Sequence, residues 1–137
     1  MCGIAGIAAK SAINRDAVPA MISRMGHRGP SGEGLWHSDD HRVVFGHTRL
    51  AVIDISDAGA QPMLDPSGQI ALVYNGEIYN YREIALRLRR EGVELRSTCD
   101  TEVLLQAYMC WGPAMLAELN GMFAFAIYNA TNNTIFC

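Results

Sequence analysis

Short apolar runs separated by glycine-rich and polar stretches predict a chain of alternating strands and helices. Each run is too short for a long helix, and most are flanked by turn-forming residues, which is typical of strands. The predicted strands are residues 3–9, Gly34–Ser38, Val43–Arg49, Gln69–Tyr74 and Met122–Tyr128. The last of these is apolar without alternation, so we expect both of its faces to be covered. Asn129–Asn133 then predicts a hairpin.

Apolar residues recur at helical spacing in three other stretches. Asp16–Met25, the residues after Asn80 and Thr101–Trp111 carry one apolar stripe each. A further short helix is predicted over Pro113–Leu119. Asn80 followed by Glu83 resembles a capping box, opening a helix that ends at Gly92. Hairpin signals outnumber regular strand–helix–strand units. The order therefore predicts an α+β fold with antiparallel sheets and helices packed outside them.

Composition narrows the class of protein. Of 137 residues, 50% are hydrophobic and 18% charged, which excludes a disordered chain, and the net charge of −3 argues against a nucleic-acid partner. The longest apolar run is too short to span a membrane, and no secretory signal is visible.

The four cysteines form no C-x-x-C pair, so we expect reduced thiols and a cytoplasmic location. Residues 1–137 predict one domain whose last residues, 134–137, read as the start of a strand, so we expect an incomplete domain from a longer protein.

Cys2 is the first residue that suggests chemistry. Methionine aminopeptidases remove Met1 when the second side chain is small, and removal would leave a thiol and a free α-amine on one residue. Those groups are a nucleophile and a base, with ordinary pKa values of about 8.5 and about 7.7–8.0. The alternative is a small apolar residue at the start of a buried strand.

Arg49 stands between apolar neighbours near a predicted strand end. A buried guanidinium needs a carboxylate partner, and Asp54 could form an ion pair with it. The functional alternative is a ligand carboxylate, which Arg binds through two parallel hydrogen bonds. The residues alone leave these two interpretations equally favoured.

Asn75-Gly76 is by itself a strong hairpin signal. Only about three residues separate it from the predicted cap at Asn80, which is short for a returning strand. The alternative is that the Asn75 amide and the Gly76 N–H converge on one point. Two neutral donors in that arrangement suit a developing oxyanion.

Asp100 precedes the predicted helix at Thr101, so its simplest role is a helix cap worth about 1 kcal/mol. Its functional role would be to accept a substrate ammonium group.

These candidate residues together describe a binding site for an amino acid. Arg49 would bind the α-carboxylate, Asp100 would bind the α-ammonium, and an oxyanion hole would face a thiol. The reaction they suggest is acyl transfer from a side-chain amide.

The histidines do not favour another chemistry. His37 and His41 bracket an Asp-Asp turn, but no third ligand completes a metal site, so we expect no metal. His27 and His47 are interpreted as structural hydrogen-bonding residues. No G-x-S-x-G motif is present to suggest a serine nucleophile.

The chain resembles the glutaminase domain of class II, or N-terminal nucleophile, glutamine amidotransferases, most of all the glutamine-hydrolysing asparagine synthetases. The matching motifs follow the family order along essentially the whole chain. They are Met1-Cys2-Gly3-Ile4, His27-Arg28-Gly29-Pro30, His47-Thr48-Arg49-Leu50-Ala51-Val52-Ile53-Asp54, Gln61-Pro62, Asn75-Gly76-Glu77-Ile78-Tyr79-Asn80, Asp100-Thr101-Glu102-Val103 and Leu119-Asn120-Gly121-Met122-Phe123-Ala124-Phe125-Ala126.

The resemblance implies an αββα sandwich of two antiparallel sheets between helical layers. It also implies roles for individual residues: Cys2 attacks the glutamine amide through a γ-glutamyl thioester, with its α-amine as base, and Asn75 and Gly76 form the oxyanion hole. Arg49 holds the α-carboxylate beside the backbone of Leu50, Val52 and Ile53. Asp100 holds the α-ammonium, and Glu77 lies next to the site.

Two departures from the family pattern bear on function. Ser31 follows Arg28-Gly29-Pro30 where the family usually has Asp, which removes a carboxylate near the site. Family members also continue into a synthetase domain that uses ATP and Mg²⁺. We therefore expect glutamine as substrate and the synthetase domain as partner, no cofactor in residues 1–137, and a homodimer as a further expectation. The alternatives are a sugar or polysaccharide acceptor for the ammonia, or a catalytically silent module of the same fold.

Overall fold

The computed structural model describes residues 2–51 and 59–137. The strands in those residues are β1 (Gly3–Ala8), β2 (Gly32–His37), β3 (Val43–Arg49), β4 (Met63–Leu64), β5 (Ile70–Ile78), β6 (Gly121–Asn129) and β7 (Thr134–Phe136). The helices are α1 (Ala17–Met25), α2 (Tyr81–Arg90) and α3 (Asp100–Trp111), with 3-10 turns at Gly26–Arg28 and Gly112–Glu118. The predicted helices and strands are all present, with ends shifted by a few residues, whereas β4 was not predicted.

The strands form two antiparallel sheets. The first sheet has the order β1-β3-β2 and the second the order β4-β5-β6-β7. In the first sheet Gly3 lies opposite Thr48, so the residue before β1 is beside the end of β3. The predicted hairpin is confirmed, because β7 pairs with the end of β6 across residues 130–133.

Three apolar layers hold these elements together. Helix α1 packs on the outer face of the first sheet through Val18, Ile22 and Val44. The inner faces of the two sheets meet at a layer that includes Phe45 and Val73. The outer face of the second sheet packs against α2 and α3 in the largest cluster. The molecule is therefore an αββα sandwich, and the predicted fold class is confirmed.

Strand β5 continues through Asn75-Gly76, so the hairpin interpretation of this dipeptide is wrong. Strand β6 pairs with β5 over its whole length, from Ile70 opposite Asn129 to Ile78 opposite Gly121. A Cβ added at Gly76 would collide with the backbone of Met122 and Phe123. Glycine is thus required here by the close approach of the neighbouring strand rather than by a turn.

The capping box predicted at Asn80 is also wrong. The Asn80 side chain makes no bond to the first turn of α2. Its Nδ2 donates to the Glu118 carbonyl at 2.8 Å, and its Oδ1 accepts from the Asn120 N–H at 2.9 Å. A tertiary contact with the segment before β6 uses the amide that the local pattern assigned to the cap.

Strand β6 is covered on both faces only in its second half, where Ile127 and Tyr128 are buried. Met122, near its start, is 71% exposed. Its side chain points to the same face as Ala126 and Tyr128, which lie against the first sheet. The described part of the first sheet does not cover β6 at Met122, and the gap between the sheets is open there. None of the described helices is long and apolar enough to cross a membrane.

Candidate active site

The apolar layer between the sheets becomes polar at one end, and strand alternation explains why. Phe45 packs in the layer, so His47 and Arg49, further along β3, point the same way. By the same alternation, the side chains of Asn75 and Glu77 on β5 point to the same face as Val73. Together with Cys2 they line a cavity of about 340 Å³ at the open end of the sandwich.

Cys2 is held at the start of β1 by backbone and side-chain contacts. Its Sγ is 3.3 Å from the Leu50 N–H, which donates to it, and 3.7 Å from the Leu50 carbonyl. Arg28 donates from Nε to the Cys2 carbonyl at 3.0 Å. Leu50, predicted as a substrate-binding residue, lines the same cavity and also fixes the thiol. The role of Arg28 was not predicted, although the residue belongs to the Arg-Gly-Pro motif.

Arg49 is the last residue of β3 and lines the cavity beside Cys2. Ser31 supports the chain on both sides of Leu50: its N–H donates to the Arg49 carbonyl at 2.9 Å, and its Oγ accepts from the Ala51 N–H at 3.3 Å. The Ser31 hydroxyl and backbone thus support the chain around Leu50.

Val52, Ile53 and Asp54 lie outside the described residues. The substrate-binding roles of Val52 and Ile53 therefore stay predictions. The alternative ion pair between Arg49 and Asp54 stays open for the same reason.

The edge of β5 displays backbone donors into the site. The Tyr74 N–H donates to the Gln61 side chain at 2.6 Å, and the Ile78 N–H donates to Asp100 at 3.2 Å. Alternate N–H groups of a strand point to the same edge, so the Gly76 N–H points there too, between these two anchored donors. Asn75 lines the cavity next to it. Asn75 and Gly76 thus line one cavity with Cys2, and their role as an oxyanion hole stays a prediction.

Asp100 is the first residue of α3, and it does not act as the helix cap. Cys99 is in the cap position and makes no side-chain cap bond. Oδ2 of the buried Asp100 carboxylate accepts from the Tyr74 hydroxyl at 2.6 Å and from the Ile78 N–H. The carboxylate is therefore turned from its own helix toward β5 and the cavity, which it lines.

Tyr74 and Gln61 form hydrogen bonds that connect β5 to the start of α3 next to the cavity, and these contacts were not predicted from the sequence. Gln61 is buried, and its Nε2 donates to Thr101 Oγ1 at 3.3 Å while its Oε1 accepts from Tyr74. Burial, followed by the hydrogen bond to Asp100, raises the pKa of Tyr74 far above its usual range, so its hydroxyl remains a donor. An apolar strand pattern contains no signal for such a role.

His47 is 1% exposed and lines the cavity. Burial, helped by the charge of Arg49, lowers the pKa of His47 to about 4, so the ring is neutral at physiological pH. Its ring nitrogen Nε2 has no hydrogen-bond partner among the described residues. The interpretation of His47 as a structural hydrogen-bonding residue stays a prediction, and the position of its ring at the cavity was not predicted.

The other candidate chemistry lies apart from this cavity. His37 and His41 are neighbours, with ring centroids 4.5 Å apart. Within residues 2–51 and 59–137, no three His, Cys, Asp or Glu side chains are grouped to hold a metal ion.

The family of the chain follows from a match along its whole length, since the glutamine amidotransferase domain matches residues 1–137. The chain belongs to the glutamine amidotransferase domain family. The prediction of an enzyme domain of this kind is confirmed by that match.

Relatives of this amidotransferase domain include asparagine synthetase [glutamine-hydrolyzing] 3 of Bacillus subtilis, which is 38% identical over 99% of the chain and 22% of its own length. Asparagine synthetase B [glutamine-hydrolyzing] of Escherichia coli is 39% identical over 95% of the chain and 23% of its own length. The chain therefore spans less than a quarter of the length of these relatives.

A solved structure has the same fold. Glutamine phosphoribosylpyrophosphate amidotransferase from B. subtilis superimposes with a TM-score of 0.78 at 22% identity, covering 94% of this chain and 35% of that one. At this level of identity the likeness concerns the fold alone, and it agrees with the αββα sandwich.

Proposed function

We propose that this amidotransferase domain hydrolyses the side-chain amide of glutamine to glutamate and ammonia, with Cys2 as nucleophile. The observation that carries the proposal is the cavity at the open end of the sandwich. One wall holds a thiol, and the others hold a guanidinium, a carboxylate and the Asn75-Gly76 donors. Family membership supports the same reaction.

The nucleophile in this proposal is the processed N-terminus. Removal of Met1 frees the α-amine of Cys2, which takes the thiol proton, directly or through a water molecule, as the sulfur attacks the amide carbon. The negative charge that develops on the amide oxygen is stabilised by the Asn75 side-chain N–H and the Gly76 backbone N–H. The α-ammonium then returns the proton to the nitrogen as the C–N bond breaks, and ammonia leaves.

A γ-glutamyl thioester on Cys2 remains after that step. The α-amine now accepts a proton from water, the hydroxide equivalent attacks the thioester carbon, and the C–S bond breaks to release glutamate and the thiol. Glutamine and water supply every atom of the products, and the thiol and the α-amine are regenerated, so the proposed reaction uses no cofactor.

Recognition of the amino-acid end of the substrate falls to charged groups on the cavity wall. Arg49 pairs with the α-carboxylate and Asp100 with the α-ammonium, while Glu77 and the backbone near Leu50 border the substrate. Val52 and Ile53 are proposed to continue this border. Asp100 suits its role because Tyr74 and Ile78 both bind Oδ2 and fix the plane of the carboxylate.

The ammonia has an acceptor in a longer protein. The names of the relatives support asparagine synthesis as the use of the ammonia. In this proposal a downstream synthetase domain, the partner of this one, uses ATP and Mg²⁺. A sugar acceptor is the alternative, and the sequence after residue 137 separates the two.

Mass spectrometry of the purified protein tests the nucleophile. Protein with its native N-terminus is incubated with a diazoketone analogue of glutamine, and intact and peptide masses are recorded. We expect loss of Met1 and one adduct on Cys2, with glutamine protecting against labelling. Cys110→Ala is the matched control, because Cys110 is an exposed thiol that does not line the cavity. Retention of Met1, or full glutamine hydrolysis by Cys2→Ala, contradicts the mechanism.

A further inference from the structure

Gln61 lies where the pairing between β4 and β5 ends. Met63 is opposite Leu72, so the same register continued by two residues places Gln61 opposite Tyr74. At this point the Tyr74 N–H donates to the side chain of Gln61, with 2.6 Å between the nitrogen and Oε1. A side-chain amide thus takes the place of the next backbone hydrogen bond of the sheet.

The amide of Gln61 is also held at its other end. Since Oε1 accepts from a backbone N–H, Nε2 is the donor that lies 3.3 Å from Thr101 Oγ1. Thr101 is in the first turn of α3, directly after Asp100. Gln61 and Thr101 are both buried, so loss of either hydrogen bond would leave a buried polar group unpaired.

The backbone of Gln61 meets the first sheet. A Cβ added at Gly34, on β2, would collide with the Gln61 carbonyl oxygen. Glycine at this position therefore lets β2 approach the segment before β4 closely. Gln61 is thus in contact with both sheets and with α3, and it lines the cavity together with Cys2.

The bond to Tyr74 bears on the next donor along the same edge of β5. The N–H groups of Tyr74, Gly76 and Ile78 point to this edge, and the outer two are fixed by Gln61 and Asp100. We infer that Gln61 is a positioning residue for the oxyanion hole, because its side chain ends the β4–β5 pairing and sets the direction of the Gly76 N–H. The inference rests on the proposed glutaminase function, in which that N–H stabilises the charge on the amide oxygen.

Steady-state kinetics of glutamine hydrolysis by Gln61→Met test this role. Methionine has a similar length but offers Tyr74 no comparable acceptor and Thr101 no donor. The oxyanion forms only in the transition state, so we expect kcat to fall about tenfold while KM changes by less than about twofold. Gln106→Met is the matched control, because Gln106 lies on α3 but does not line the cavity. A rise in KM at constant kcat, or an equal fall of kcat in the control, overturns the inference.

Two variants of Thr101 test the bond between Gln61 and α3. Thr101→Val keeps the shape of the side chain but removes the acceptor for Nε2, whereas Thr101→Ser keeps the hydroxyl. We expect Thr101→Val to lower kcat by about three- to tenfold and Thr101→Ser to recover most of that loss. Equal losses in the two variants overturn the inference, because they would follow from packing rather than from the hydrogen bond.

Amide hydrogen exchange measured by NMR tests the position of β5 without any turnover. In Gln61→Met we expect the Tyr74 N–H to exchange at least about tenfold faster, while exchange of the Val73 N–H, which points to β6, changes much less. Equal acceleration at both residues would mean that Gln61 only supports the whole fold, and it overturns the inference. The expected exchange pattern without glutamine turnover by the unmodified protein would instead contradict the proposed function.

Discussion

The Tyr74 hydroxyl donates a 2.6 Å hydrogen bond to Asp100 Oδ2, joining the middle of β5 to the first turn of α3. A charged acceptor strengthens such a bond, and both residues are buried. Through this contact the second sheet and a helix together set the direction of the carboxylate that we propose for the substrate ammonium.

Tyr74→Phe removes that bond and should raise KM for glutamine with a smaller change in kcat. A hydrogen bond to a charged group contributes about 1.5–3 kcal/mol, which corresponds to roughly ten- to a hundredfold in KM. Steady-state kinetics measure it. The matched control is Tyr128→Phe, because the buried Tyr128 bonds to Asn133, away from the cavity. An unchanged KM in Tyr74→Phe would show that Ile78 alone orients Asp100.

Arg49→Ala should strongly raise KM for glutamine. It should leave KM unchanged for ester and amide substrates that lack the α-carboxylate. The reason is loss of the charge that pairs with the substrate carboxylate. The Asp54→Asn variant distinguishes substrate binding by Arg49 from a structural ion pair between Arg49 and Asp54. If Arg49 serves a structural ion pair with Asp54, both variants lower thermal stability similarly and Arg49→Ala leaves KM unchanged.

Gly76→Ala should destabilise the fold as well as reduce activity. The new methyl group collides with the backbone of Met122 and Phe123 on β6, and forced shifts of this kind cost about 1–3 kcal/mol. Chemical denaturation measures the free energy of unfolding. Gly32→Ala on β2 is the control, because a Cβ there meets nothing within 4 Å. Equal stability of the two variants would show that the strands can separate without cost.

His47 should make stability depend on pH in a defined window. Burial lowers its pKa from 6.5 to about 4, so between these values the unfolded chain binds a proton that the folded chain does not. The stabilisation is complete above pH 6.5 and is lost as the pH falls toward 4, by roughly 3 kcal/mol in total. Denaturation curves at pH 7.5 and 4.5 measure it. His47→Asn should lose less stability over this range than the unmodified protein, and identical losses would contradict the lowered pKa.

The sequence determined the elements of the fold and the residue types of the site. Apolar periodicity depends on local geometry, so α1, α3 and the principal strands could be read directly, and motif order identified the family. Cys2, Arg49, Asn75, Gly76 and Asp100 were predicted from the sequence as the reacting and binding groups of one site, and all five line one cavity.

Tertiary structure decided the contacts that cross between elements. Asn75-Gly76 and Asn80 carry strong local signals for a turn and a cap, yet pairing with β6 and with residues 118–120 uses them otherwise. The contacts of Tyr74 and Gln61 could not be predicted from local patterns, because they join residues 13 to 40 positions apart along the chain. Local propensity contributes about 1 kcal/mol at such positions, and a buried network of hydrogen bonds outweighs it.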